Sequence, residues 1–222
     1  MLKVHHQKKF MIIFPKKDVN MIKKLLSIVL SVIFILSLAV PSFAAMPSSE
    51  IISETWCVMD AKTGQLLIGG NENAKREPAS ITKILTCAMA LERLDPKAEY
   101  TFSKEAASYD KASTHLAFSE GEICTIEDLL YGAMVESAND CAMALADASA
   151  GSQLAFVRLM NEKAKELGLL NSHFTNPHGL PDDNHYTTAY DIYLIMRECL
   201  KDPTFLKIIS CQRYDTAITE PN

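Results

Sequence analysis

The sequence predicts an α+β domain: a short antiparallel hairpin followed by a helical subdomain. Three observations carry that prediction. Residues 55–59 and 65–68 are β-prone runs that flank Asp60-Ala61-Lys62-Thr63-Gly64, whose glycine suits a tight turn. Beyond residue 79, apolar residues recur at helical spacing between threonine or serine starts and glycine stops. With 222 residues, 48% hydrophobic and 22% charged, the chain has the size and composition of one globular domain with an appendage.

The appendage comes first. Lys23-Lys24 precedes residues 25–40, which are apolar apart from three serines, and Ser42 and Ala44 are small residues placed as at an export cleavage site. Residues 21–44 therefore read as a signal peptide cut after Ala44, with residues 1–20 a possible upstream extension. A retained membrane anchor is the alternative, although the apolar run falls short of the roughly 20 residues of a spanning helix. Residues 1–44 hold seven lysines and one acid of the chain's 22 basic and 27 acidic residues, which leaves 15 and 26 from Ala45 onward, a net charge of −11. A domain this acidic repels phosphate backbones, which argues against nucleic acid as a partner.

From the hairpin, the loop Gly69-Gly70-Asn71-Glu72-Asn73 leads to Pro78, which disfavours helix at the residue before it. Residues 79–91 are mostly helix formers, and the helix ends near Asp95-Pro96. Residues 100–118 are polar without a sustained period. Thr125 caps a helix whose first turn holds Glu127 and Asp128, complementing the dipole, and which runs to about Val135. Residues 138–150 form a small-residue helix stopped by Gly151, and alanines at this density imply close packing. Ser152 caps the next helix, with Val157, Met160, Ala164 and Leu167 on one face and Gly168 at its end. Asn176-Pro177-His178-Gly179-Leu180-Pro181 is a loop, residues 188–200 a helix with Pro203 just past it, and residues 210–219 the start of a strand.

Cys57, Cys87, Cys124, Cys141, Cys199 and Cys211 could pair in an exported chain, but Cys87 and Cys141 lie in apolar helical runs, where thiols behave as small buried residues. Neither the cysteines nor the histidines cluster with ligand spacing, so no metal and no cofactor is expected.

Two stretches carry chemistry. Ser80 and Lys83, three apart at the start of a helix, share one face, so the amine can reach the hydroxyl. A serine becomes a nucleophile when a neighbouring base takes its proton, and a desolvated lysine can be that base. The same residues also suit a plain helix start, with Ser80 as cap and Lys83 in solvent. Ser137 and Asn139, two apart between two helices, offer a hydroxyl able to pass a proton and a carboxamide able to hold an amide; they too could be capping residues at a turn.

Taken together, Ser80-Ile81-Thr82-Lys83 and Ser137-Ala138-Asn139 resemble the motifs of penicillin-recognising serine enzymes. Met59 to Gln65, Leu129-Leu130-Tyr131-Gly132, residues 156–168 and Asn176-Pro177-His178-Gly179-Leu180 are similar to the serine-type D-alanyl-D-alanine carboxypeptidases, the low-molecular-weight penicillin-binding proteins of peptidase family S11. That resemblance, nearly continuous over residues 56–210, implies a β-lactamase/DD-peptidase-like fold with an antiparallel sheet of about five strands and a helical subdomain. It implies Ser80 as acylated nucleophile, Lys83 as its base, Ser137 as proton relay and Asn139 as substrate binder. Peptidoglycan stem pentapeptide would be the substrate and β-lactams covalent inhibitors, acting outside the cytoplasm; a membrane would be met only through an uncleaved signal or a C-terminal anchor. His178 is expected to stabilise its turn, Asp191 to be a helix-face or salt-bridge residue, and His5, His6, His115, His173 and His185 to have no role.

The third family motif is where the resemblance departs. Lys62-Thr63-Gly64 is the only Lys-Thr-Gly of the sequence, lies upstream of Ser80 and reads as turn chemistry. Residues 45–222 are accordingly expected to be an incomplete peptidase domain, short of its C-terminal strands and impaired in turnover. A class A β-lactamase-like hydrolase is one alternative, disfavoured by Asn176 to Leu180 standing where a glutamate-bearing loop is expected. A non-catalytic muropeptide- or penicillin-binding module is the other.

Overall fold

The computed structural model describes residues 21, 23–31 and 51–216. The chain divides into two units, Met1–Met46 and Pro47–Asn222. In the first, residues 23–31 are helical and Ser31 Oγ donates to the Ser27 carbonyl at 2.8 Å. The expectations for residues 1–20, for the apolar run beyond residue 31 and for the cut after Ala44 lie outside the described residues. Among the described residues no helix is long and apolar enough to cross a membrane.

The second unit opens with the expected hairpin, β1 (Trp56–Met59) antiparallel to β2 (Leu66–Gly70). Its turn is built by Asp60, whose Oδ1 accepts from the Lys62 and Thr63 N–H groups (2.9 and 2.6 Å) and from Thr63 Oγ1 (2.9 Å). Gly64 closes it at φ +75°. Lys62-Thr63-Gly64 is thus turn chemistry, as read from the sequence.

A 3-10 turn (Ala79–Ile81) feeds α1 (Thr82–Leu91), which runs between two cores. Cys87 and Ala90 face Leu129, Leu130, Cys141 and Leu145, whereas Leu85 and Met89 face Phe156, Met160, Phe174, Ile195 and Phe205. An apolar helix with little polar face has to be covered on both sides, and here it is. A small second hairpin follows, β3 (Glu99–Thr101) with β4 (Ile123–Thr125). Three residues per strand is too short for alternation to show in sequence, so the polar 100–118 stretch concealed it.

Helix α2 (Ile126–Val135) begins at a full capping box between Thr125 and Asp128, and α3 (Asn139–Ala150) ends at Gly151 in the left-handed conformation, both as expected. The alanines of α3 do mark close packing: a Cβ on Gly132 of α2 would come within 2.6 Å of Cys141 Sγ. Helix α4 (Gln153–Glu166) is capped by Ser152, and α5 (Ala189–Cys199) by Thr188.

Pro203 lies just past α5, as expected, and also opens a further helix, α6 (Pro203–Ile209), capped by Asp202, because proline at the first helical position lacks only an N–H that would be unpaired anyway. One expectation is corrected. Residues 211–216 form no strand. Tyr214 instead stacks on Tyr131 of α2 with ring centroids 3.9 Å apart and donates its hydroxyl to Asp128 at 3.0 Å. Among the described residues no strand lies alongside for 211–216 to pair with, so packing on α2 replaces a ladder.

Candidate active site

Lys83 is the centre of the site. It projects from the first turn of α1 and is only 1% exposed, while Ser80 above it faces solvent and Ser137 is half-buried. The ammonium nitrogen lies 3.0 Å from Ser80 Oγ, 3.4 Å from Ser137 Oγ and 3.1 Å from the carbonyl oxygen of His178. Three neutral oxygens thus surround an amine held out of water. Burial pushes Lys83 down to about 8 from the ordinary lysine value, against weaker upward pulls from Cys87 and Cys141. Neither hydroxyl caps a helix: Pro78 starts the 3-10 turn without a side-chain bond, and Ala138, not Ser137, precedes α3.

Both hydroxyl groups sit beside strained backbone. Ala79 has φ +48° and Ser137 φ +59°, values a residue with a Cβ adopts at a cost of about 1 kcal/mol. The Ala79 strain has a visible cause, since Gly179 presses on it so closely that a Cβ there would meet the Ala79 oxygen at 1.8 Å. Asn139 starts α3, is 5% exposed and donates its backbone N–H to the Thr114 carbonyl at 2.9 Å. Its carboxamide is not hydrogen-bonded to the Ser80, Lys83 and Ser137 cluster.

The loop of residues 171–188 closes one side. Asn176 shapes its tip, accepting from His178 N and Gly179 N (3.3 and 2.6 Å) and donating to the Leu180 carbonyl (2.9 Å). His178 does stabilise its turn, accepting from Leu180 N at 3.2 Å, and burial with the nearby Lys83 charge lowers it to about 4, so the ring is neutral at neutral pH. Its contribution to the site is the backbone carbonyl, which no side-chain motif could reveal.

Other residues that build the site were also missed. Asp140 is fully buried and accepts from the backbone N–H groups of Leu116, Phe118 and Cys141, pinning the 114–118 segment beside Asn139. Thr86 Oγ1 donates to the Pro177 carbonyl at 2.6 Å. His185, given no role from sequence, lies 2.9 Å from Thr82 Oγ1. Asp191 is neither on an open face nor in a salt bridge: it is 2% exposed and accepts from Asn171 N and Ser172 Oγ at 3.0 and 2.6 Å. Its neighbour Asn139 was the one sequence signal for Asp140; no local spacing pointed to the contact of His185 with Thr82, 103 positions apart.

An exposed hydroxyl above a buried amine, with a second hydroxyl on the amine's other side, is the arrangement that acyl transfer of the Ser-x-x-Lys kind would need. The family model described as D-alanyl-D-alanine carboxypeptidase, peptidase S11, matches residues 42–220, and the chain belongs to that family. It is 36% identical over 194 residues to the D-alanyl-D-alanine carboxypeptidase DacF of Bacillus subtilis (strain 168), covering 83% of this chain and 50% of that protein. Among solved structures, penicillin binding protein 6B from Escherichia coli superposes with a TM-score of 0.72 at 32% identity, covering 81% of this chain and 60% of that one. The carboxypeptidase DacD from Francisella tularensis gives 0.69 at 34%, with 78% and 43% covered. The DD-peptidase-like α+β fold is thereby established. The chain spans about half the length of the curated relatives it matches.

Proposed function

We propose that this chain carries the acylation machinery of a serine D-alanyl-D-alanine carboxypeptidase. Neutral Lys83 takes the proton of Ser80 Oγ, and the oxygen attacks the carbonyl carbon of the penultimate D-alanine of a peptidoglycan stem pentapeptide. As the C–N bond breaks, Ser137 relays the proton from Lys83 to the departing nitrogen, free D-alanine leaves, and Ser80 holds the shortened peptide as an ester. Water then hydrolyses the ester and restores the hydroxyl. Asn139 binds the substrate's amide, and the Ser80 N–H faces the developing oxyanion, where losing one donor would cost about a hundredfold in rate. In a β-lactam the broken C–N bond belongs to the ring, so the leaving nitrogen stays tethered and the ester persists.

The observation that carries this reading is the 3.0 Å contact between Ser80 Oγ and a lysine nitrogen held near 8 by burial. It is tested with fluorescent penicillin: the chain should be labelled and Ser80→Ala should not. Unchanged labelling in Ser80→Ala would refute it. Residues 21–44 act as a cleaved export signal in this reading, placing the enzyme outside the cytoplasm; mass spectrometry of secreted protein should find Ala45 at the N-terminus.

A further inference from the structure

A fully enclosed polar contact joins the first turn of α1 to the far end of the 171–188 loop. Thr82 is 1% exposed and His185 2%. The surroundings fix the tautomer: Thr175 N–H donates to His185 Nδ1 at 3.0 Å, so the ring hydrogen sits on Nε2, 2.9 Å from Thr82 Oγ1. Burial holds His185 below the ordinary histidine value, Asp182 and His173 are the titratable groups beside it, and Phe174 packs edge-on against the ring.

Three side chains of α1 grip this one loop: Thr82 through His185, Lys83 through the His178 carbonyl and Thr86 through the Pro177 carbonyl. Thr82 and Thr86 lie one turn apart with Lys83 between them, so the loop is fastened on either side of the amine. We propose that His185 is a positioning residue for acylation: its Nε2–H bond to Thr82 clamps the loop onto α1, keeping Lys83 dry and aimed at Ser80. The inference rests on the reading of Ser80 and Lys83 given above. The titratable groups facing Lys83 are Cys87 on its own helix, Cys141 from α3 and His178 from the loop. None is a carboxylate, so water admitted by a loosened loop moves the lysine back up toward its ordinary value.

The test measures second-order labelling by fluorescent penicillin from about pH 6 to 10, with melting curves, for Thr82→Val, Thr82→Ser, His185→Asn and His185→Gln. Valine removes the acceptor and asparagine cannot reach it, whereas serine and glutamine keep a partner in place. Thr82→Val and His185→Asn should label about tenfold more slowly at neutral pH, with the midpoint of the rise shifted upward, while the other two stay within about threefold of wild type. Wild-type rates and midpoints in Thr82→Val and His185→Asn, even with lowered melting temperatures, overturn the inference by showing a purely structural bond. Should His185→Asn not fold, Thr82→Val decides from the helix side. Absent labelling of wild type would sink the nucleophile reading instead; the Lys83 titration followed by NMR of 13Cε-labelled lysine still decides the clamp, with an unshifted midpoint in Thr82→Val counting against it.

Discussion

Lys83 lies under Ser80 with its charge unpaired by any acid, and that placement sets the sign of two pH effects. Only the neutral amine can take the Ser80 proton, so penicillin labelling should rise about tenfold per pH unit below 8 and level off above it. Stability follows the same group. Below pH 8 the amine is charged in both folded and unfolded chains, and the full burial penalty is present. Between about 8 and the ordinary value of 10.5 the unfolded chain holds the extra proton, so stability rises with pH. Denaturant titrations of wild type and Lys83→Met at pH 7.5 and 10 should show the wild type gaining about 2 kcal/mol relative to the variant over that interval. A constant difference would mean that Lys83 is not desolvated.

At the scale of elements, the site is assembled where α1, the start of α3 and the 171–188 loop meet, and two further contacts hold that junction. Gly179 combines φ +88° with a Cβ position 1.8 Å from the Ala79 oxygen and 2.9 Å from Thr82 Oγ1. Gly179→Ala should therefore cost more than about 2 kcal/mol and at least tenfold in labelling, because the loop must lift off the serine turn. Gly151, with φ +77° and nothing within 4 Å, bears only the backbone strain, and Gly151→Ala should cost about 1 kcal/mol with labelling intact. Asp140 is the second contact. Asp140→Ala strands three backbone N–H groups of the Leu116, Phe118 and Cys141 region, an expected loss of about 3 kcal/mol in urea unfolding; Asp140→Asn, which keeps one acceptor oxygen, should lose less.

Across the whole second unit, packing places the thiols. All six cysteines are free, four of them buried and only Cys57 and Cys211 partly open. Desolvation raises the buried thiols, Cys87, Cys124 and Cys199 to about 12, which suppresses the thiolate that reacts. Native protein should give at most two fast thiols with a disulfide-exchange reagent and six after unfolding, with a melting temperature indifferent to reductant. A stabilising disulfide would make reductant lower it. The ion pairs of Arg76 with Glu54 and Lys201 with Glu198, by contrast, are well exposed, so screening them with added salt should change stability little.

The sequence by itself determined the helices that carry their own punctuation. Thr125 with Asp128, Ser152 and Gly151 mark ends through bonds made within a few residues, and the Asp60 to Gly64 turn is equally local. It also determined the pairing of Ser80 with Lys83, because three residues along a helix is a fixed distance. What tertiary structure alone decided is how that pair works. The His178 carbonyl reaches Lys83 across 95 positions, Ser137 across 54 and His185 reaches Thr82 across 103. Contacts of that separation depend on how elements pack rather than on local spacing, and a backbone carbonyl has no residue type to read. Burial, which pushes the lysine down to about 8, exists only once the loop and two cores have closed around it.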